Sequence, residues 1–387
     1  MSVCKRCGAV LSEPCEPPCP HCTVDADPFA TKSSPCQGGG FPVTPPPVEG
    51  IPQEDESAKV DRLLRHIASQ SHFEERYELR GRLAQGGMGQ IYHAYDRILR
   101  REVAIKMMRE SVGSETAAIR GQFLKEARVG GRLLHPNILA VFDLGVNRSG
   151  QIYYTMRLVD GDSLERFLNS LDKGVALVST PLRKIVEGFV KVCHGVDYAH
   201  QNRVIHLDLK PNNILVSRFN EFFVIDWGLA RVDEQDDTEQ LVDLYRSTYE
   251  SSIVNAFDDR RRVGTPAYMA PEQAEGHYQS FDPSTDVYGL GGILYFILYG
   301  QPPNQGKSFQ QVIAASSEPK KRGKLRQGIL PRGQRVRKEV QNAIEALEAI
   351  CLTAIEPDRM KRYPDAEKML VDLNEWLSNT PGPPLGI

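Results

Sequence analysis

The sequence predicts an α+β protein of two lobes, β-rich first and α-rich second, and three observations carry that prediction. Strand-like runs come early, at residues 77–83, 90–94, 101–107, 138–144 and 151–157, and long helical stretches take over after Ser163. The chain has 387 residues, 41% hydrophobic and 25% charged, enough to fill a large core. No internal repeat at a fixed period divides it. Lys and Arg number 47 against 50 Asp and Glu, a net charge of −3, so global electrostatics favours neither nucleic acid nor an acidic membrane surface. The longest uncharged apolar run, residues 287–300, is shorter than the roughly 18 residues of a spanning helix. With no signal peptide before residue 30, the expectation is a cytoplasmic protein without a membrane segment.

The first element is a cysteine cluster. Six of the eight cysteines fall in the first 36 residues, and Cys4, Cys7, Cys19 and Cys22 form two C-x-x-C pairs separated by eleven residues. Each pair can make a tight knuckle, and two knuckles converge on a tetrahedral site of four thiolates that suits Zn²⁺. Residues 1–23 are therefore expected to resemble a small zinc ribbon, with the metal standing in for a hydrophobic core. Cys15 and His21 are competing ligands outside the paired spacing. Residues 24–76 form a Pro- and Gly-rich linker; near its end Val60, Leu63, Leu64 and Ile67 give helical spacing to a short segment expected to pack on the next domain.

Between the first two strands lies Leu83-Ala-Gln-Gly86-Gly87-Met-Gly89-Gln-Ile91. Glycines there let backbone N–H groups approach phosphate, although a glycine hairpin taken alone is more often an ordinary turn. The next strand, Val103-Ala-Ile-Lys106, buries one lysine among apolar residues, which is costly unless the ammonium is paired. Glu126, in the helical stretch 123–134, is its natural partner. Further on, His206-Leu-Asp208-Leu-Lys210-Pro-Asn-Asn213 precedes Asp226-Trp227-Gly228. That grouping supplies a base or orienter for a hydroxyl, a cation for a moving phosphate and two oxygen ligands for Mg²⁺.

With these motifs in this order, residues 77–377 resemble the protein kinase family of the bacterial Ser/Thr type. The resemblance continues in Gly264-Thr265-Pro-Ala-Tyr-Met-Ala-Pro-Glu272, in Asp286 at the head of an apolar helix, and in Arg362. It implies a two-lobed kinase fold and a protein serine/threonine kinase that uses ATP with Mg²⁺, or Mn²⁺ in its place, on protein substrates including itself. It implies that Ala84, Gly86, Gly87 and Gly89 cover the phosphates and that Ile91 and Ala104 line the adenine pocket. Met156 stands behind that pocket, and Arg157 to Val159 form the hinge. Lys106 contacts phosphate while paired with Glu126, Asp208 takes or orients the hydroxyl, Lys210 steadies the γ-phosphate, and Asn213 and Asp226 hold the metal. Glu272 pairs with Arg362, and Asp286 anchors the catalytic loop.

Several positions depart from the pattern. Ala84 stands where the first loop glycine is usual, which suits a turn with negative φ there. Leu207 replaces the arginine that pairs with a phosphorylated activation loop. Trp227 replaces phenylalanine while Gly130 replaces the bulky aliphatic residue it packs on, so Trp227 is expected to fill the Gly130 gap. The span from Asp226 to Glu272 is long and acidic, with Asp233, Glu234, Asp236, Asp237, Glu239 and Asp243. Residues 319–338 carry nine basic residues and no acid, as a solvated loop or a docking patch for an acidic partner. Residues 378–387 form a tail. The competing function is a catalytically weak pseudokinase serving as a nucleotide-binding scaffold; oligomeric state is not encoded in any of these motifs.

Overall fold

The computed structural model describes residues 2–3, 10–11, 60–62, 73–109, 116–172, 182–232, 266–326 and 338–380. The chain divides into two compact units, Met1–Gln53 and Glu54–Ile387. In the first, Ser2–Val3 pairs antiparallel with Val10–Leu11. The cysteines proposed as zinc ligands, Cys4, Cys7, Cys19 and Cys22, lie outside the described residues, as do the acidic stretch 233–243 and the basic residues 327–337.

Val60, the first described residue of the second unit, packs against an apolar cluster of the sheet that comes after it, as its helical spacing suggests. That sheet has five antiparallel strands: β1 (Tyr77–Gln85), β2 (Gly89–Asp96), β3 (Arg101–Met108), β4 (Val141–Val146) and β5 (Ile152–Arg157), in the spatial order β1-β2-β3-β5-β4. After Tyr77 the edge strand β1 is exposed throughout, whereas β3, with Val103, Ala104 and Ile105, is buried. β4 begins three residues later than its apolar run predicts. Residues 137–139 turn away to the second lobe instead, where Leu139 N donates to Val224 O (3.1 Å), Val224 N to Asn137 O (2.8 Å) and Asn137 Nδ2 to Phe222 O (3.0 Å). Helix α1 (Thr116–Arg132) packs on β4 and carries Glu126.

The second lobe begins with β6 (Gly161–Ser163), α2 (Leu164–Asp172) and α3 (Leu182–Gln201), followed by the short strand β7 (Val204–Ile205). The hairpin β8 (Ile214–Ser217) and β9 (Phe222–Val224) joins β6 in a small antiparallel sheet, and β10 (Arg231–Val232) pairs with β7. At its centre is α4 (Pro283–Tyr299), whose residues from Ser284 onward are all buried. Its ends follow from composition: Asp282 caps the N-terminus by accepting from Ser284 N, Pro283 fixes the first turn, and Gly300 closes the helix at φ 72°. The apolar run 287–300 is thus a core helix. Among the described residues no helix is long and apolar enough to cross a membrane. Helices α5 (Lys338–Ala354) and α6 (Ala366–Asn379) pack around α4.

Candidate active site

The site forms where the sheet, α1 and the β7–β10 loops meet. The β1–β2 turn is closed by Gly86 N donating to Gly89 O (2.9 Å). Gly89 is required by contact: a Cβ there would lie 2.5 Å from Met107 O and 3.6 Å from the Lys106 side chain. Ala84 is absent from the positive-φ residues and pairs with Ile91, so alanine is tolerated in the turn. A Cβ at Gly87 would meet nothing within 4 Å, and one at Gly86 only Gly89 O, at 4.0 Å.

Ile91 and Lys106 are register partners, as are Ala104 and Met156. Ala104 and Met156 are buried in one apolar cluster, with Ile91, Leu158 and Val159 half-buried against it and Leu215 of β8 joining from the other lobe. This slot contains five positions that the sequence identified or bracketed, and one, Leu215, that it missed. Its signal was its place two residues after Asn213, within the apolar run 214–216. The Arg157 side chain pairs with Glu221 (3.0 Å) and lies over the Phe223 ring.

Lys106 Nζ donates to both carboxylate oxygens of Glu126, at 2.8 and 2.6 Å. Burial works against the Lys106 charge, but Glu126 and Asp226 outweigh it and hold its pKa above the ordinary lysine value. Tyr154, a residue that sequence reasoning missed, donates its hydroxyl to Glu126 Oε1 (2.7 Å). Nothing in a strand's alternation distinguishes such a phenol from core packing.

The loop from His206 to Asn213 is a connected network. Lys210 Nζ donates to Asp208 Oδ2 (2.7 Å), and Asn213 Nδ2 donates to Asp208 Oδ2 (2.9 Å) and O (2.7 Å). Two donors thus fix one carboxylate, and Asn213 keeps its Oδ1 as an acceptor. Burial lowers the Lys210 pKa less than Asp208 and Asp226 raise it, so it too stands above the ordinary value. Asp226 is therefore felt by both lysines. It adopts a left-handed conformation at φ 67°, which aspartate tolerates.

Asp286 anchors this loop through its backbone. His206 N (2.7 Å) and Leu207 N (2.8 Å) donate to its two oxygens, and His200 Nε2 lies 3.0 Å from Oδ2. These bonds hold Leu207 at φ 66°, a conformation costing a non-glycine residue about 1–3 kcal/mol. Gln273 Nε2 secures the same turn by donating to Leu207 O (2.8 Å). Where a clamping arginine is usual, the Leu207 side chain packs on Phe281 with Tyr278 beside it. His206 Nδ1 accepts from Asp208 N (3.2 Å), so its ring proton sits on Nε2 and donates to Ile225 O (3.0 Å).

One expectation is corrected. The space at Gly130 is taken by Val141: a Cβ there would lie 2.8 Å from Val141 Cγ2, and no Trp227 atom comes within 4 Å. Trp227 packs instead against His206, with ring centroids 4.5 Å apart and the planes tilted by 52°, and its buried Nε1 has no acceptor among the described residues. The helix lies close enough to β4 that the missing side chain leaves no hole for the indole to fill.

The side-chain oxygens of Asn213 and Asp226 have the chemistry that would suit a hard divalent cation; among the described residues no cluster of three His, Cys, Asp or Glu forms an all-protein metal cage. The protein kinase domain family model matches residues 77–370. Among curated relatives, the serine/threonine-protein kinase PknD of Chlamydia felis (strain Fe/C-56) is 32% identical over 318 residues, covering 79% of this chain and 32% of the relative. Its namesake from Chlamydia pneumoniae is 31% identical over 312 residues, with the same coverage. That from Chlamydia trachomatis serovar D is 36% identical over 257 residues, 62% of this chain and 27% of the relative. The chain spans about a third of the length of the first two. A paired strand lysine and helix glutamate, a loop Asp-Lys-Asn network, and a family match running through both lobes lead to one assignment: the chain belongs to the protein kinase family.

Proposed function

We propose that the chain is a protein serine/threonine kinase that transfers the ATP γ-phosphate to hydroxyls of protein substrates, itself included. The observation that carries this reading is the Asp208 carboxylate held on one oxygen by both Lys210 and Asn213, which leaves the other oxygen for an incoming hydroxyl. The substrate oxygen bonds to the γ-phosphorus as the bond to the bridging β–γ oxygen breaks; Asp208 accepts the hydroxyl proton, and ADP departs. Lys210 follows the charge on the moving phosphoryl group, and Lys106, pinned by Glu126, holds the α- and β-phosphates. The turn bearing Ala84, Gly86, Gly87 and Gly89 covers the phosphates, and the base occupies the slot of Ile91, Ala104, Met156 and Leu215, bounded by the hinge at Arg157 to Val159. Asn213 and Asp226 would hold Mg²⁺, which would supply charge neutralisation for the triphosphate.

The Cys4, Cys7, Cys19 and Cys22 set supports a second, separate reading: residues 1–23 bind one structural Zn²⁺. Metal analysis of the purified full chain tests it. One zinc per chain, lost in a Cys4→Ser, Cys19→Ser double variant, is expected; zinc-free protein purified without chelator overturns it.

The kinase reading is tested with Mg²⁺, labelled ATP and a general acceptor protein, wild type beside Asp208→Asn. Label transfer by wild type, reduced at least about 10³-fold in the variant, is expected. Nucleotide binding without transfer by either protein would establish the scaffold reading instead.

A further inference from the structure

Near its C-terminal end helix α1 is held by Val129, and by Leu133 just beyond it, both buried in the large apolar core, while its contact with β4 is made at a glycine. Gly130 and Gly131 adjoin there, each a poor helix former by about 1 kcal/mol relative to alanine, and Gly130 meets β4 through bare backbone against a Val141 methyl. Glu126 stands one turn earlier among the buried Phe123, Leu124 and Ala127, whose apolar packing places the helix but does not aim a carboxylate that has to meet Lys106.

Tyr154 is placed to do so. It is the register partner of Lys106 across the β3–β5 pair, so the two side chains rise from the same sheet face toward α1. Its ring rests on Phe123, one turn before Glu126, with centroids 5.1 Å apart. Tyr154 is 3% exposed and Glu126 6%, and their 2.7 Å hydrogen bond runs from a neutral donor to a carboxylate. Burial, and then the neighbouring Glu126, raise the phenol well above its ordinary pKa, so it keeps its proton and acts as a donor. Lys106 Nζ also lies 5.7 Å from the Tyr154 ring centroid and 5.8 Å from that of Phe123, beside both aromatic rings.

We infer that Tyr154 is a positioning residue for phosphoryl transfer: its hydroxyl pins the Glu126 carboxylate from the sheet, so that α1 is held in the Lys106-engaging position from two directions. Burying a phenol with a carboxylate would be a poor choice for packing alone, since phenylalanine fills the same volume without a hydroxyl to satisfy. With the latch in place, assembly of the lysine–glutamate pair is built into the sheet itself. This inference rests on the role proposed above for Lys106 and Glu126.

The experiment is a double-mutant cycle on the full chain, reading kcat/KM for ATP with a general acceptor protein in wild type, Tyr154→Phe, Glu126→Ala and the double variant. Tyr154→Phe is expected to lower kcat/KM about tenfold, in keeping with loss of a hydrogen bond to a charged group, and to have less than a twofold effect once Glu126 is alanine. An equal factor in both backgrounds would mean that the tyrosine acts through general packing, and wild-type activity of Tyr154→Phe would mean that it does nothing; either overturns the inference. Undiminished activity of Glu126→Ala would instead overturn the underlying role of the ion pair. Should the phenylalanine variant fail to fold, Tyr154→Met, which fills the slot without a hydroxyl, gives the same cycle.

Discussion

Lys106 with Glu126 and Arg362 with Glu272 are buried ion pairs of similar length, 2.6 and 2.9 Å, yet the two cations live in opposite circumstances. Arg362 spends all five of its N–H donors. Nη1 donates to Glu272 and to Ser284 O, Nη2 to Glu272 and to Pro357 O, and Nε to Glu356 O, while the guanidinium lies 5.1 Å from the Tyr288 ring centroid. Among the described residues Lys106 directs its bonds to Glu126 alone, and Asp226 adds further negative charge nearby. A saturated cation ties chain segments together. A cation with a donor to spare, inside a surplus of negative charge, is ready for a ligand that brings its own charge and metal. Equal distances therefore do not mean equal roles, and the remaining donors decide between them.

The contrast can be broken experimentally. Lys106→Met should reduce kcat/KM for ATP by about 10³-fold or more, roughly 4 kcal/mol of barrier, while moving the thermal midpoint by only a few degrees. A comparable loss of stability in that variant would erase the distinction. Arg362→Met should do the reverse, costing about 3–5 kcal/mol of stability because Glu272 stays buried without its partner, with activity per folded molecule preserved. Denaturant unfolding beside active-site titration measures both quantities. Asp286→Asn is intermediate, since the anchor holds a strained loop that carries a catalytic group. It should lose about 1–3 kcal/mol of stability and lower kcat together with it, checked by unfolding and turnover on one preparation. Gly130→Ala probes the helix side of the lysine pair. The new methyl meets Val141 at 2.8 Å, so about 1 kcal/mol of destabilisation is expected, and Val141→Ala in the same chain should relieve it.

How far the sequence alone discloses the site depends on where the information resides. Lys106, Glu126, Asp208, Lys210, Asn213 and Asp226 were legible because their chemistry demands particular residue types at short, ordered spacings. The two lobes were legible because alternation gives way to helical periodicity after Ser163. Tyr154 was illegible because a tyrosine in an apolar strand reads as core, and only the register with Lys106 reveals what its hydroxyl meets. The partner of Gly130 was misread for a related reason. The sequence shows that a side chain is missing, but the distance between a helix and a strand decides whether a hole results, and here Val141 closes it. Leu215 escaped because its neighbours in the slot come from strands more than fifty residues away in the chain.

The main-chain bonds at the junction of the lobes have a mechanical consequence. Because Leu139, Val224 and Asn137 are linked chiefly through backbone N–H and carbonyl groups, the attachment is largely indifferent to side-chain identity and cannot slide without breaking several bonds at once. Any rotation of the first lobe against the second that keeps these bonds must therefore turn about their line, like a door on its pin, and would open the side opposite. The amide protons of Leu139 and Val224 should accordingly be among the last near the boundary to trade with deuterated solvent, even while nucleotide comes and goes.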